Sequence, residues 1–299
     1  MRFLQIIRWK NLLLIALIQV LVKYYLIPLF DLQPILTNFQ FVLIVFATVL
    51  IALGGNIIND IYDLEIDRIN KPERVWISKL ISIKQAKITY LIISFLGLLF
   101  GGLVSIQLGK TLFIVFFLIP IFALYLYASY FKKLLLIDNI FVATLIALSI
   151  IIIAVFEQVL FKGSIVNSLG ISEVIWGLVF FAFFLNLVRE IIKDIEDSIG
   201  DKAFGVVSFP IKFGNEITHI LIKGIVGILI GVLIAIAIVW YKKEPFLAGY
   251  LVLAVITSLF LFVSQLNKVK TTTDYKKLST LLKLIMLVGI LSVFMINTI

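Results

Sequence analysis

Nine apolar runs, each about 20 residues long, constrain this chain more than any other feature, because a helix of that length crosses the ~30 Å core of a bilayer. They fall at roughly 8–30, 39–60, 87–107, 111–130, 137–158, 172–193, 217–240, 246–265 and 279–298. The runs are continuous and do not alternate, which selects helices over an outer-membrane barrel. With 62% of its 299 residues hydrophobic and 14% charged, the chain has far more apolar surface than a soluble domain needs. The expected fold class is all-α: a polytopic membrane protein, one domain over 1–299, with nine transmembrane helices in a lipid bilayer. The first run lacks a small-residue cleavage site and reads as a first span, not a removable signal.

The formal net charge of +9 is a topology signal and not a nucleic-acid signal. With the N-terminus placed in the cytoplasm, twenty Lys and Arg fall on the cytoplasmic side and five on the other. That is the positive-inside pattern of a multi-pass protein of the cell membrane. The absence of Cys excludes disulfides, thiolate metal sites and a cysteine nucleophile.

Against this background, two acidic clusters stand out at span ends, both expected to face the cytoplasm. The first lies in NIINDIYDLEIDRINKPER, from Asn56 to Arg74. Continued as a helix, Asn59, Asp63 and Asp67 fall at i, i+4 and i+8 on one face, with Asn56 and Asp60 on its edge. Carboxylates stacked in this way repel unless a cation neutralises them. Oxygen ligands without His or Cys suit Mg²⁺, which shares its coordination shell with waters and substrate phosphates. The second cluster, REIIKDIEDSIGD from Arg189 to Asp201, places Asp194, Asp197 and Asp201 at the end of the sixth span. Facing each other, the two clusters would bind two Mg²⁺ ions that clamp one diphosphate. Bare carboxylates repel a diphosphate, so charge alone requires the metal. Taken singly, each cluster also fits a solvated helix end or, for KDIED, intrahelical ion pairing.

Basic residues near the clusters are candidates for holding the diphosphate: Arg68, Lys71 and Arg74 after the first, Lys193 inside the second, and Lys132 and Lys133 after the fourth span. Each also suits a positive-inside anchor. Arg8 and Asn11 enter the first apolar run as a polar pair, which in a membrane helix is functional or paired. His219, the single histidine, and Glu157 read as interfacial. Some of the 26 Phe residues are expected to line a cavity and shield a carbocation through their ring faces.

Asn59-Asp60-x-x-Asp63-x-x-x-Asp67 and Asp197-x-x-x-Asp201 resemble the NDxxDxxxD and DxxxD signatures of the UbiA-type intramembrane prenyltransferases, and DRINKPER resembles the continuation of the first. The resemblance implies a helical bundle around a central cavity, a polyprenyl diphosphate and a lipophilic acceptor as partners, and two Mg²⁺ ions. Carried over by position, Asn59, Asp63 and Asp67 would hold one ion; Asp197 and Asp201, helped by Asp194, would hold the other. Arg68, Arg74, Lys132 and Lys193 would contact the diphosphate. Within the family, REIIKDIED and the stretch from Tyr127 to Lys133 with Asn139 look like the archaeal digeranylgeranylglyceryl phosphate synthases. Ile199, Asp138 and Ser208-Phe209-Pro210 depart from that pattern, and Trp9 follows Arg8 where Pro is frequent. None of these departures touches a metal ligand.

The implied reaction is transfer of a polyprenyl group, geranylgeranyl by resemblance, onto geranylgeranylglyceryl phosphate, with Asp194 or the released diphosphate taking the proton. Aromatic prenylation in quinone biosynthesis is the same-class alternative. A cation transporter is the remote one, and it predicts acids at mid-membrane, where the spans have almost none.

Overall fold

A backbone immersed in lipid has no water to satisfy its polar groups, so apolar runs of this length close their hydrogen bonds internally. In the computed structural model, which describes residues 8–73, 75–130, 135–160 and 169–297, they do so as helices. In chain order these are α1 (Trp9–Leu29), α2 (Asn38–Tyr62), the short α3 (Leu64–Asn70), α4 (Ile83–Gln107), α5 (Thr111–Ser129), α6 (Ile137–Phe156), α7 (Ile171–Ala203), α8 (Phe209–Trp240), α9 (Pro245–Leu266) and α10 (Thr272–Met295). Among the described residues, all but α3 are long and apolar enough to cross a membrane, nine in number as expected.

Two helices outrun their apolar segments. α7 reaches 33 residues, well past the expected end near 193, because Ile191, Ile192 and Ile195 keep one face buried while the opposite face turns charged. α8 begins with Phe209-Pro210, a favoured helix start. It then kinks at Gly214, whose φ of 81° only glycine adopts without strain, before the apolar run proper.

α7 is the central pillar, packed against α6, α8 and α10 and touched by α3. α2 packs against α4 and α5, and α1 lies between α2 and α6. The α7–α10 contact is close: Gly289 lies directly against the ring of Phe181, where a Cβ would overlap it. Between these helices a cavity of about 1030 Å³ remains.

At the end of the bundle away from the acidic clusters, the sequence expectation for Glu157 is overturned. Glu157 is not interfacial but fully buried, paired at 3.1 Å with Lys23, itself 1% exposed. Its other oxygen accepts from the backbone N–H groups of Ile35 (2.6 Å) and Leu36 (3.2 Å), and Lys23 also donates to the Leu36 carbonyl. The Lys23 ammonium lies 5.3 Å from the centre of the Phe41 ring. The loop between α1 and α2 carries unpaired backbone donors into an apolar setting, and this ion pair satisfies them.

Candidate functional site

The first aspartate cluster sits where α2 gives way to α3. Asp63 leaves helical geometry (φ −87°, ψ 1°), but its N–H still bonds the Asn59 carbonyl (2.8 Å) and its carbonyl accepts from Asp67 (2.7 Å). The chain therefore bends at Asp63 without losing the i, i+4 register, and the Asn59 amide donates to the Asp63 carboxylate at 2.6 Å. The sequence expectation of one continued helix is corrected to a helix kinked at Asp63. A straight continuation would carry Asp67 away along the α2 axis.

The second cluster projects from unbroken α7. Positions 186, 190, 193, 194, 197 and 201 recur at three- and four-residue steps, so Asn186, Glu190, Lys193, Asp194, Asp197 and Asp201 form one stripe facing the cavity. Asp194 accepts from Asn139 of α6 (2.8 Å). Glu190 accepts from Arg189 (2.8 Å) and Lys193 (2.6 Å).

α3 joins the two clusters. Asn70 donates to the Asp197 carbonyl (2.7 Å) and accepts from the Gly200 N–H (2.8 Å), and Lys71 Nζ pairs with the Asp197 carboxylate at 2.5 Å. This clasp needs glycine at 200, because a Cβ there would lie 2.6–2.7 Å from the Asn70 amide. We predict that Gly200→Ala leaves the fold intact, since overpacking typically costs about 1–3 kcal/mol. Displacing Asn70 should nevertheless lower kcat by about tenfold to a hundredfold through misplacement of the clusters. Steady-state rates beside a thermal melt check this; unchanged rates would deny the clasp a positioning role.

Both clusters line this cavity, together with Arg8, Asn11, Lys71 and Tyr127, while Phe116, Phe117 and Phe181 are among its apolar walls. Tyr127 is held by parallel stacking on Phe141, ring centres 6.3 Å apart. The residues present fit a divalent cation. Among the described residues no three His, Cys, Asp or Glu gather into a ready cage, so phosphate and water would have to complete the shell of an ion held here. One oxygen of each cluster, Asn59 Oδ1 and Asp197 Oδ1, is buried without a hydrogen-bond partner. The Lys71 ammonium occupies the other Asp197 oxygen, so a cation already stands at this position.

A family model for the UbiA prenyltransferase family matches residues 16–288. The chain belongs to that family. A digeranylgeranylglyceryl phosphate synthase of Sulfolobus acidocaldarius is 41% identical over 60% of this chain, and the match spans 60% of that relative's own length. One from Methanobrevibacter smithii is 34% identical over 82% of each chain. Among solved structures, a UbiA homologue from Archaeoglobus fulgidus bound to GPP and Mg²⁺ superposes with a TM-score of 0.65 at 17% identity, covering 98% of this chain and all of the other. A prenyltransferase family leaves no place for the transporter alternative.

Two of the residues singled out in the sequence stand apart from the rest of the site. Arg68 does not line the cavity: it is half exposed, paired with Glu65 at 2.8 Å and bonded to Ser78, because the bend at Asp63 turns its side of α3 outward. Asp60 lines the cavity, but both its oxygens are engaged, Oδ1 by Arg8 (2.7 Å) and Oδ2 by the Trp76 indole (2.8 Å). In this arrangement it anchors Arg8. Burial alone would lower the Arg8 pKa. Asp60, then Asp67, Asp63 and Glu190, more than reverse this and hold the guanidinium above its ordinary value, charged at every working pH. Arg74, Lys132 and Lys133 lie outside the described residues. His219 bonds the Tyr275 hydroxyl (2.9 Å), away from the cavity.

Sequence reading put Glu190 one turn before Asp194 but gave no role to Arg189, Glu190, Asn186 or Asn139. Projecting α7 as one helix through 203 would also have brought Asn186 onto the aspartate stripe. The Asn139–Asp194 bond joins two helices and has no local signature.

Proposed function

We propose that this UbiA-family chain transfers a geranylgeranyl group from its diphosphate to geranylgeranylglyceryl phosphate, in a Mg²⁺-dependent step of ether-lipid synthesis. The observation that carries this reading is that two oxygen-rich clusters from different helices open onto one cavity with apolar depths. Such a cavity suits a substrate with a polyanionic head and an oily tail. The relatives named as digeranylgeranylglyceryl phosphate synthases support the acceptor, and the GPP- and Mg²⁺-bound homologue supports the donor class and the metal.

Asn59, Asp63 and Asp67 would hold one ion, and Asp194, Asp197 and Asp201 a second. Bound there, Mg²⁺ offsets the diphosphate charge and stabilises the negative charge that grows as the allylic C–O bond breaks. Lys71, at the junction of the clusters, and Arg8, braced on Asp60, supply further positive charge toward the leaving group. Phe116, Phe117, Phe181 and Tyr127 present rings to the cavity, where they shield an allylic cation from water and stabilise it through their faces. The acceptor hydroxyl then attacks that carbon. Its proton leaves to Asp194 or to the released diphosphate. The Lys and Arg distribution supports a site at the cytoplasmic leaflet of the cell membrane.

Purified protein given Mg²⁺ and labelled geranylgeranyl diphosphate should yield product with geranylgeranylglyceryl phosphate and none with benzoate- or naphthoate-type acceptors. Product with an aromatic acceptor alone would overturn the ether-lipid assignment.

A further inference from the structure

The mechanism above leaves Arg189 unused. This residue is 6% exposed, lines the cavity, and its Nε is buried with no hydrogen-bond partner. Its terminal nitrogen pairs with Glu190 at 2.8 Å, but Glu190 is already met by Lys193 at 2.6 Å. Arg189 and Lys193 therefore share one carboxylate, so Glu190 does not neutralise the two cations one to one. An unsatisfied guanidinium N–H at this depth is costly unless an anion meets it.

Lys283 and Thr280 line the same cavity from α10. Their height follows from the Phe181–Gly289 contact between α7 and α10. From it, Arg189 lies eight residues up α7, about 12 Å. Lys283 and Thr280 lie six and nine residues up α10, about 9 and 13 Å. α10 runs antiparallel to α7, so counting on from Phe181 and back from Gly289 both lead toward the aspartate end, and the three side chains share a level. That level is about 7 Å deeper than Asp194 along α7, below the carboxylates that suit a metal-bound diphosphate.

We propose that Arg189, Lys283 and Thr280 form a second, metal-independent anion subsite that takes the phosphomonoester of the lipid acceptor. The inference rests on the proposed function and deepens it, giving each of two anionic substrates its own set of groups. Metal-bridged carboxylates take the diphosphate; fixed cations and a hydroxyl take the monoester. A planar guanidinium with a free N–H is well matched to phosphate oxygens.

The test is binding in EDTA, where the aspartate clusters without metal repel anions. Purified protein is titrated with 1-oleoyl-glycerol 3-phosphate and, separately, with 1-oleoyl-glycerol, its phosphate-free counterpart. The wild type is expected to prefer the phosphate by about tenfold or more, and Arg189→Gln and Lys283→Gln should each remove most of that preference. Because Arg189 also braces Glu190, the Lys283→Gln variant carries the test without disturbing that pair. With Mg²⁺ present, the affinity for geranylgeranyl diphosphate should stay within about twofold of wild type in both variants, a change below ~0.5 kcal/mol. Equal binding of the two lipids by the wild type, or unchanged preference in both variants, overturns the subsite. Donor affinity falling as far as phosphate preference assigns these cations to the diphosphate and overturns it equally. Inorganic phosphate displacing the lipid at equal concentration overturns the lipid assignment. If the binding pattern holds while no glycerophosphate product forms, the subsite stands and the ether-lipid reading falls.

Discussion

Asp63→Ala and Asp197→Ala are each expected to reduce prenyl transfer by at least about a thousandfold, a loss of ~4 kcal/mol of transition-state stabilisation. The two residues stand on different helices, one at the bend of α2 into α3 and the other on α7, and each belongs to a different proposed ion site. Removing either leaves a diphosphate facing the remaining carboxylates with about half the metal charge. Asp63 also holds the Asn59 amide at 2.6 Å, and Asp197 holds Lys71 at 2.5 Å, so each substitution frees a neighbour as well. Single-turnover conversion of labelled geranylgeranyl diphosphate measures the loss. Titration with Mn²⁺, a spectroscopically visible Mg²⁺ substitute, should show weakened metal binding in both variants. Melting behaviour in detergent close to wild type separates this effect from unfolding. A variant that keeps wild-type turnover removes its residue from the site.

The largest stability effect is expected at the other end of the bundle. Glu157→Ala should destabilise the protein by about 3–5 kcal/mol, the cost of stranding one partner of a buried ion pair. Lys23 would be left as an unpaired ammonium at 1% exposure, and the N–H groups of Ile35 and Leu36 would lose their acceptor. The double variant Lys23→Met, Glu157→Gln should recover much of the loss. Met fills the Lys23 volume without a charge, and the Gln carbonyl still accepts from the loop. Equilibrium unfolding in mixed micelles gives both values. A single variant as stable as wild type would mean that water reaches this pair and that it does not tie the α1–α2 loop to α6.

The sequence carried the fold class, the number of spans and the two motif clusters. Each rests on a local period: 20 apolar residues in a row, or carboxylates at three- and four-residue spacing, seen without knowing any neighbour. It also carried the identity of the family, because both motifs are short and contiguous. Contacts between distant segments were not legible. Glu157 read as interfacial because it stands at a span end, yet Lys23, 134 positions away in the chain, buries it. Arg68 and Lys71 both read as candidate cations, with Arg68 the one that the resemblance assigns to the diphosphate. The bend at Asp63 turns one outward to Glu65 and brings the other onto Asp197.

Periodicity in a single chain tells which side of a helix is polar and how long the helix runs; that was enough to identify a membrane bundle with two acidic helix ends. Which polar groups meet depends on helix crossings and on a bend of a few residues. Those are set by packing, such as Gly289 on Phe181 and Asn70 on Gly200, and packing is a property of pairs of segments that no one segment encodes.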